Sequence, residues 1–382
     1  MDADWTRPLV DADAFQHEQA CLAHAWTFLG LTADVPNDGD WFTATIATRS
    51  VFVQRFGSEL RGFENLCAHR FYPLRHGLRG NGPVICGYHH WQYDSEGRAV
   101  GIPHGRDLFG AIPQELGARL TRLELAVCGS LIFGRFANGT GEGLREFLGD
   151  GFEILEAASR VRDHCQFISD EVAASWRLCM HISLDDYHAP AVHPSTFGRN
   201  GYLKRTDIGY FRFGLHSAFL HTPRPDAFDT MRAECRTGTH RPTCYTIFQV
   251  VPNVLLATFM AHRHAWYTVV QGFEPLRHDT CRFRAWLFPT AFVLPAAWLR
   301  RLTEPVRAPF VRHYVQRVFR EDNRICERLQ DAAPAVRAQP RLGMLEERIE
   351  WFEESLRRLI AEGEAVMAAA TGERHGAGGT SN

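Results

Sequence analysis

The chain has 382 residues, 45% of them apolar and 23% charged, which suits a soluble globular protein too long for one compact core. Its 42 basic residues nearly cancel its 44 acidic ones, and no basic run marks a nucleic-acid or membrane surface, so neither partner is predicted. The acidic N-terminus has no apolar segment behind it and the ten cysteines are scattered, so the expectation is a cytoplasmic protein with mostly reduced thiols and neither signal peptide nor transmembrane helix.

In chain order, Phe15, Cys21, Leu22 and Trp26 are spaced approximately as on a helix over residues 12–28, ending near Gly30. From Trp41 to Phe136 the texture changes to short strands, among them Thr43–Thr48, Val51–Phe56 and Cys128–Phe133, punctuated by Gly, Asn and Asp. Inside that all-β stretch lies the most specific signal of the chain, Cys67-Ala68-His69 followed by Cys86-Gly87-Tyr88-His89. Two thiolates and two imidazoles on two short loops can close four coordination positions, around a zinc ion or an iron–sulfur cluster. Each half supplies one Cys and one His, whereas zinc fingers usually pair like with like; a Rieske [2Fe–2S] centre needs two thiolates on one iron and two imidazoles on the other. A structural zinc site is the alternative.

The flanking residues sharpen this. Asn65–Arg70 and Cys86–Tyr93 resemble the two cluster loops of Rieske non-heme iron oxygenase alpha subunits, terminal oxygenases of the aromatic-ring-hydroxylating dioxygenase family. A second motif, Asp185-Asp186-Tyr187-His188 with His193 five residues on, resembles the mononuclear iron segment of the same proteins. Alone the histidine pair is weak, because in an ideal helix residues five apart are rotated by about 140°. Pro190 and Pro194 predict a broken or distorted segment in which both imidazoles could converge. The resemblance takes the carboxylate ligand from a late helix, here Phe319–Gln330, and places it at Asp322 with Glu321 as the competing choice. It also gives Asp185 the role of a bridge carrying electrons between the iron site and His89 of a neighbouring subunit. Many relatives carry a Glu-Asn pair where this chain has His181-Ile182, and a satisfied core histidine is the expectation for His181.

Downstream, Tyr245–Val251, Val254–Phe259, Ala265–Val270 and Cys281–Phe288 read as strands of an antiparallel sheet. Helices are predicted over about 296–330 and 344–370, the second with an apolar stripe at Leu345, Ile349, Phe352, Leu356 and Ile360. The resemblance implies an α+β protein. A small all-β Rieske domain (39–145) is inserted in an α+β catalytic domain whose central antiparallel sheet is flanked by helices. Residues 1–38 form the N-terminal helical part of the catalytic domain, 146–370 the mononuclear iron part, and 371–382 a disordered tail.

Carried over residue by residue, the resemblance implies one [2Fe–2S] cluster on Cys67, His69, Cys86 and His89, and one mononuclear iron on His188, His193 and Asp322. It implies a small, aromatic substrate hydroxylated with O2, an external NAD(P)H-dependent reductase with or without a ferredoxin, and a homotrimer in which electrons cross subunit boundaries. The rival reactions are oxidative N- or O-demethylation, or monooxygenation of a quaternary amine. A zinc-stabilised binding protein is the rival of another class.

Overall fold

The computed structural model describes residues 6–136, 141–162, 164–196, 201–261, 264–290 and 297–376. Helix Ala12–Leu22 is started by Asp11, whose carboxylate accepts the N–H groups of Asp13 and Ala14, and it buries Phe15, Cys21 and Leu22. It ends at Leu22 rather than near Gly30. Thr27–Leu31 is instead a fully buried strand, antiparallel to Leu131–Phe136. A strand covered on both faces has no alternation, so its apolar run reads like buried helix. The β part of the fold therefore begins at Thr27, inside the stretch 1–38 expected to be helical.

Asp40–Ile46, Arg49–Phe56, Glu59–Glu64 and Arg79–Asn81 form a four-stranded antiparallel sheet. Val84–Ile85, Gln92–Tyr93 and Ala99–Gly101 form a small second one. The single strand expected over Cys128–Phe133 is a hairpin: Leu123–Cys128 turns at Gly129, with φ of +62°, and returns as Leu131–Phe136. Gly129 is needed for more than its left-handed backbone, because a Cβ there would collide with Ser159 Oγ and the Glu156 carbonyl.

The second sheet system has seven strands, all antiparallel, in the spatial order Gln166–Val172, Thr280–Pro289, His264–Arg277, Val254–Ala261, Thr246–Val250, His216–Leu220, Gly209–Phe213. Gln166–Val172, His216–Leu220 and Gly209–Phe213 were not expected from sequence; in the last two, Arg212, His216 and Ser217 interrupt the apolar pattern. Helices Trp176–Leu184, Ala227–Thr237, Ala297–Ala332 and Glu347–Gly376 pack around this sheet. The last helix runs through residues 371–376, part of the stretch expected to be disordered, because Ala368-Ala369-Ala370 carries the highest helix propensity into it. The rest of that expectation, 377–382, lies outside the described residues. No described helix is long and apolar enough to cross a membrane.

Leu9, Phe15 and Leu22 share one apolar core with Trp176, Phe283, Phe319 and Phe352, while the cluster-bearing β part has separate cores around Phe63 and Trp91 and around Phe42 and Val53. The two ends of the chain thus close on each other, with the β part inserted between them in sequence. Gly363 marks the closest approach, since a Cβ there would overlap the backbone of Cys21.

A buried ionic cluster joins the same elements. Arg177 Nη1 donates to Glu18 Oε2 at 2.7 Å, its other nitrogens pair with Glu353, and His181 Nε2 lies 2.7 Å from Glu353 Oε1. His181 is therefore a satisfied core residue. Burial alone would raise the pKa of Glu353, but Arg177 and His181 hold it down at about 2. Burial raises that of Glu18, against the pull of Arg177. Because the Glu353 value lies below the ordinary 4.5, this carboxylate stabilises the fold above pH 4.5 and loses that contribution as pH falls towards 2. Arg177→Ala strands two buried carboxylates and should cost about 3–5 kcal/mol in urea unfolding at neutral pH; an unchanged midpoint would show that the cluster carries no stability.

Candidate metal centres

The cluster loops are built alike. In each, the Cys N–H donates to the carbonyl five residues on, Cys67 to Tyr72 and Cys86 to Trp91, both at 2.9 Å. The residue four positions on returns its N–H to the Cys carbonyl, Phe71 to Cys67 and His90 to Cys86. Phe71 and His90 must then take left-handed backbones, with φ of +58° and +57°. The result is two tight loops, each with its thiol buried and its imidazole partly exposed. His69 and His89 approach with ring centroids 4.6 Å apart, and Trp91 stacks on His69 at 4.9 Å and 3°. Tyr93 Oη lies 3.1 Å from Cys67 Sγ and accepts the Ala68 N–H. Burial raises the Cys67 pKa, with Cys86 adding to it, and lowers that of His69, with His89 adding to it.

Two features test what this donor set fits. His69 Nδ1 is buried with no hydrogen-bond partner, a donor position pointed at nothing the protein supplies. Among the described residues, the sets whose ligand atoms all gather within 4.8 Å are His188–His193–Asp322 and His17–Cys21–Glu364. Cys67, His69, Cys86 and His89 are spread more widely than one ion needs, which suits a two-iron cluster better than tetrahedral zinc.

At the second centre the structure revises how the histidines converge. Helix Trp176–Leu184 ends before the prolines, at Asp185, whose backbone is extended (φ −91°, ψ 110°). Asp185 Oδ1 accepts the N–H groups of Tyr187 and His188, closing a turn, and His188 starts a second short helix, Ala189–Val192. Pro190 sits in its first turn, where no N–H is missed. Asp185 thus faces His188 through a capping turn rather than along a shared helix, with Oδ2 3.5 Å from His188 Nδ1.

The turn and the new helix bring His188 Nε2 and His193 Nε2 to 3.3 Å. Asp322 Oδ1, from helix Ala297–Ala332, lies 2.9 Å from His193 Nε2 and 3.5 Å from His188 Nε2. Two neighbouring ligands each about 2.1 Å from an octahedral ion would stand about 3.0 Å apart, so this triangle has the size of one face of a coordination shell. Asp322 Oδ1 is buried and, despite these distances, meets no hydrogen-bond geometry. Burial alone would lower the His188 pKa, but Asp185 and Asp322 raise it to about 10; Asp322 also helps raise that of His193, and both histidines hold the Asp322 carboxyl low despite its burial. A divalent cation at this point would displace those protons, so binding should strengthen with pH.

Glu321, the competing choice, turns away from this triangle. Its Oε2 lies 2.8 Å from His193 Nδ1, behind the imidazole, and Arg317 holds its Oε1. Sequence reading missed that supporting role, as it missed Tyr93, although both lie inside the quoted motifs. Spacing identifies donors, but not which carboxylate fixes a tautomer. Within the chain no contact joins Asp185 to His89 among the described residues.

Residues 25–111 match the Rieske [2Fe-2S] domain family, and residues 155–362, more than half of the chain, match the catalytic domain of the ring-hydroxylating alpha subunit. The chain belongs to the ring-hydroxylating alpha-subunit family. Among family members, it is 30% identical over 238 residues to the large oxygenase component of salicylate 5-hydroxylase from Ralstonia sp., covering 57% of this chain and 55% of that one. It is 28% identical over 224 residues to the anthranilate 1,2-dioxygenase large subunit of Burkholderia cepacia, covering 55% and 52%. The chain spans about half the length of the curated relatives it matches. Its fold is that of naphthalene 1,2-dioxygenase from Rhodococcus sp., with a TM-score of 0.71 and 21% identity over 94% and 95% of the two chains. It is equally like the quaternary ammonium Rieske monooxygenase CntA, at 0.71 and 15% over 93% and 94%.

Two substitutions separate ligand from support. Asp322→Ala should leave the protein unable to retain the mononuclear iron after gel filtration while the cluster's iron and acid-labile sulfide are unchanged, whereas Glu321→Gln should weaken retention of the mononuclear iron about 10–100-fold without abolishing it. Equal iron loss in the two would undo the distinction. Tyr93→Phe removes a donor to Cys67 and should lower the cluster's reduction potential, read by redox titration of its visible spectrum.

Proposed function

We propose that the protein is the terminal oxygenase component of a multicomponent system, hydroxylating a small aromatic substrate with O2 and electrons from an external NAD(P)H-dependent reductase, with or without a ferredoxin. The observation that carries this reading is the convergence of His188 Nε2, His193 Nε2 and Asp322 Oδ1 on one point in a chain that also holds the Cys67–His69 and Cys86–His89 loops. A scaffold or a simple electron carrier has no use for both. When bound, the cluster would store one electron at a time and the iron would activate O2 beside the substrate.

The protein's own residues would do the rest. Cys67 and Cys86 would hold one iron of the cluster and His69 and His89 the other, with Trp91 stacked on the His69 ring. His188, His193 and Asp322 would hold the mononuclear iron, and three protein ligands would leave it positions for oxygen chemistry. Glu321 orients His193. Asp185 uses Oδ1 for its turn and keeps Oδ2 toward His188, so this carboxylate can hydrogen-bond both His188 and a group from outside the chain.

That outside group would be His89 of a second copy, in a head-to-tail homotrimer. Phe71, Tyr88 and Phe109 around the cluster loops are 72%, 51% and 40% exposed in the single chain, an apolar rim suited to burial against another copy. A cytoplasmic location remains part of the reading.

The test is a single turnover. Protein carrying both centres, chemically reduced and exposed to O2 with a panel of aromatic acids, neutral arenes, quaternary amines and methylated heterocycles, should deplete at least one compound and yield a product with added oxygen, by mass spectrometry. Loss of a methyl group instead would move the reading to demethylation. Colourless protein containing zinc and no labile sulfide would end it.

A further inference from the structure

Helix Ala12–Leu22 places His17 and Cys21 four residues apart, so their side chains stand one above the other on a single face. That face meets the last helix, Glu347–Gly376, where Gly363 lies against the Cys21 backbone. The close approach needs a glycine, and the residue after it, Glu364, is thereby carried to the pair. His17 Nε2 lies 3.0 Å from Glu364 Oε1 and 3.7 Å from Cys21 Sγ, and the three ligand atoms all fall within 4.8 Å of one another. Apart from His188, His193 and Asp322, no other three such donors gather so closely among the described residues.

The spacing and the chemistry of this set both point to one kind of ion. Around a tetrahedral zinc ion, ligand nitrogen and oxygen stand about 3.4 Å apart, and nitrogen and sulfur about 3.6 Å. The observed 3.0 and 3.7 Å lie close to both. One thiolate, one imidazole and one carboxylate form a set of intermediate softness, suited to zinc and foreign to calcium or magnesium, which take oxygen ligands. The local field has the matching sign. Burial, with Glu364 and Glu18 adding to it, pushes the Cys21 thiol up to about 11, and the negative charge that opposes a thiolate favours a cation. Cys21 is wholly buried, whereas the His17 and Glu364 side chains are 58% and 52% exposed. An ion can therefore enter from solvent and keep one position for water. An exposed ion pair by itself is worth little and has no need of a thiol beside it.

We propose that His17, Cys21 and Glu364 form a zinc site that staples the N-terminal helix to the last helix. The site is separate from both iron centres and independent of the oxygenase reading. It lies at the junction already held by buried ions, since Glu18 adjoins His17 and Glu353 belongs to the same last helix. Zinc there would bind only when the two helices are docked, so its binding energy favours the closed chain. It would reinforce from outside the closure that the Arg177 cluster makes from within.

The experiment uses protein carrying both iron centres, given one equivalent of zinc chloride and then gel-filtered. About one zinc per chain should remain, with the mononuclear iron, the cluster's iron and its acid-labile sulfide unchanged. X-ray absorption at the zinc edge, to which iron does not contribute, should show one sulfur neighbour at about 2.3 Å and otherwise nitrogen and oxygen. Zinc should also raise the thermal unfolding midpoint. His17→Gln and Glu364→Gln alter exposed side chains and should leave the fold and both iron centres intact. Each should weaken zinc binding by more than the roughly 10–100-fold lost when a supporting group is removed, and neither midpoint should respond to the same zinc. Cys21→Ser should remove the sulfur neighbour; if that buried change unfolds the protein, the two exposed variants decide. The proposal is overturned if no zinc is retained, if zinc is retained without a sulfur neighbour, or if it is gained at the expense of cluster iron. Zinc binding by both exposed variants as in the wild type would overturn it too, as would zinc held by sulfur with no rise in the midpoint.

Discussion

The iron site depends on a charge buried far from it. Arg177 sits at the start of the helix that ends in Asp185, between Glu18 of the N-terminal helix and Glu353 of the last one. Three ionic groups in the core are worth having only as a set: each alone would suffer desolvation of several kcal/mol, and together each supplies the others' missing solvent. Residues more than 150 positions apart are thereby locked to one helix. Gln330 adds a neutral tie, accepting the Ser175 N–H and donating to the Leu9 carbonyl, which fixes the Asp322 helix to the same junction. The histidine turn and its carboxylate partner arrive at one point because both are hung from this junction.

That arrangement explains the order of the chain. The cluster loops are local objects, each closed by its own backbone hydrogen bonds, and can be carried by a β insert with its own core. The mononuclear site is not local: its donors come from a turn near residue 190 and a helix near residue 320. It needs the two ends of the chain to close around the sheet, which the N-terminal helix achieves by packing against the last helix at Gly363.

The same distinction governs what could be read from sequence. Cys67, His69, Cys86 and His89 were legible because the chemistry lies in short spacings that backbone geometry alone converts into a site. His188 and His193 were legible only in combination with those loops, and the device that brings them together was misplaced: the prolines drew attention, whereas the Asp185 cap breaks the helix. The strand Thr27–Leu31 was misread as helix because burial on both faces erases its period. Glu321 and Asp322 could not be told apart by type or spacing, since only tertiary packing decides which carboxylate meets Nε2 and which meets Nδ1.

The electrostatic pattern of the catalytic half then has a direction. Acidic groups gather at the histidine triangle: Asp185, Glu321 and Asp322 face two imidazoles and raise the pKa of both, so a cation bound there would compete with protons. Away from it the buried charge is balanced within the protein instead: Arg348 lies in the field of Asp186, whose carboxylate also accepts the Tyr210 hydroxyl.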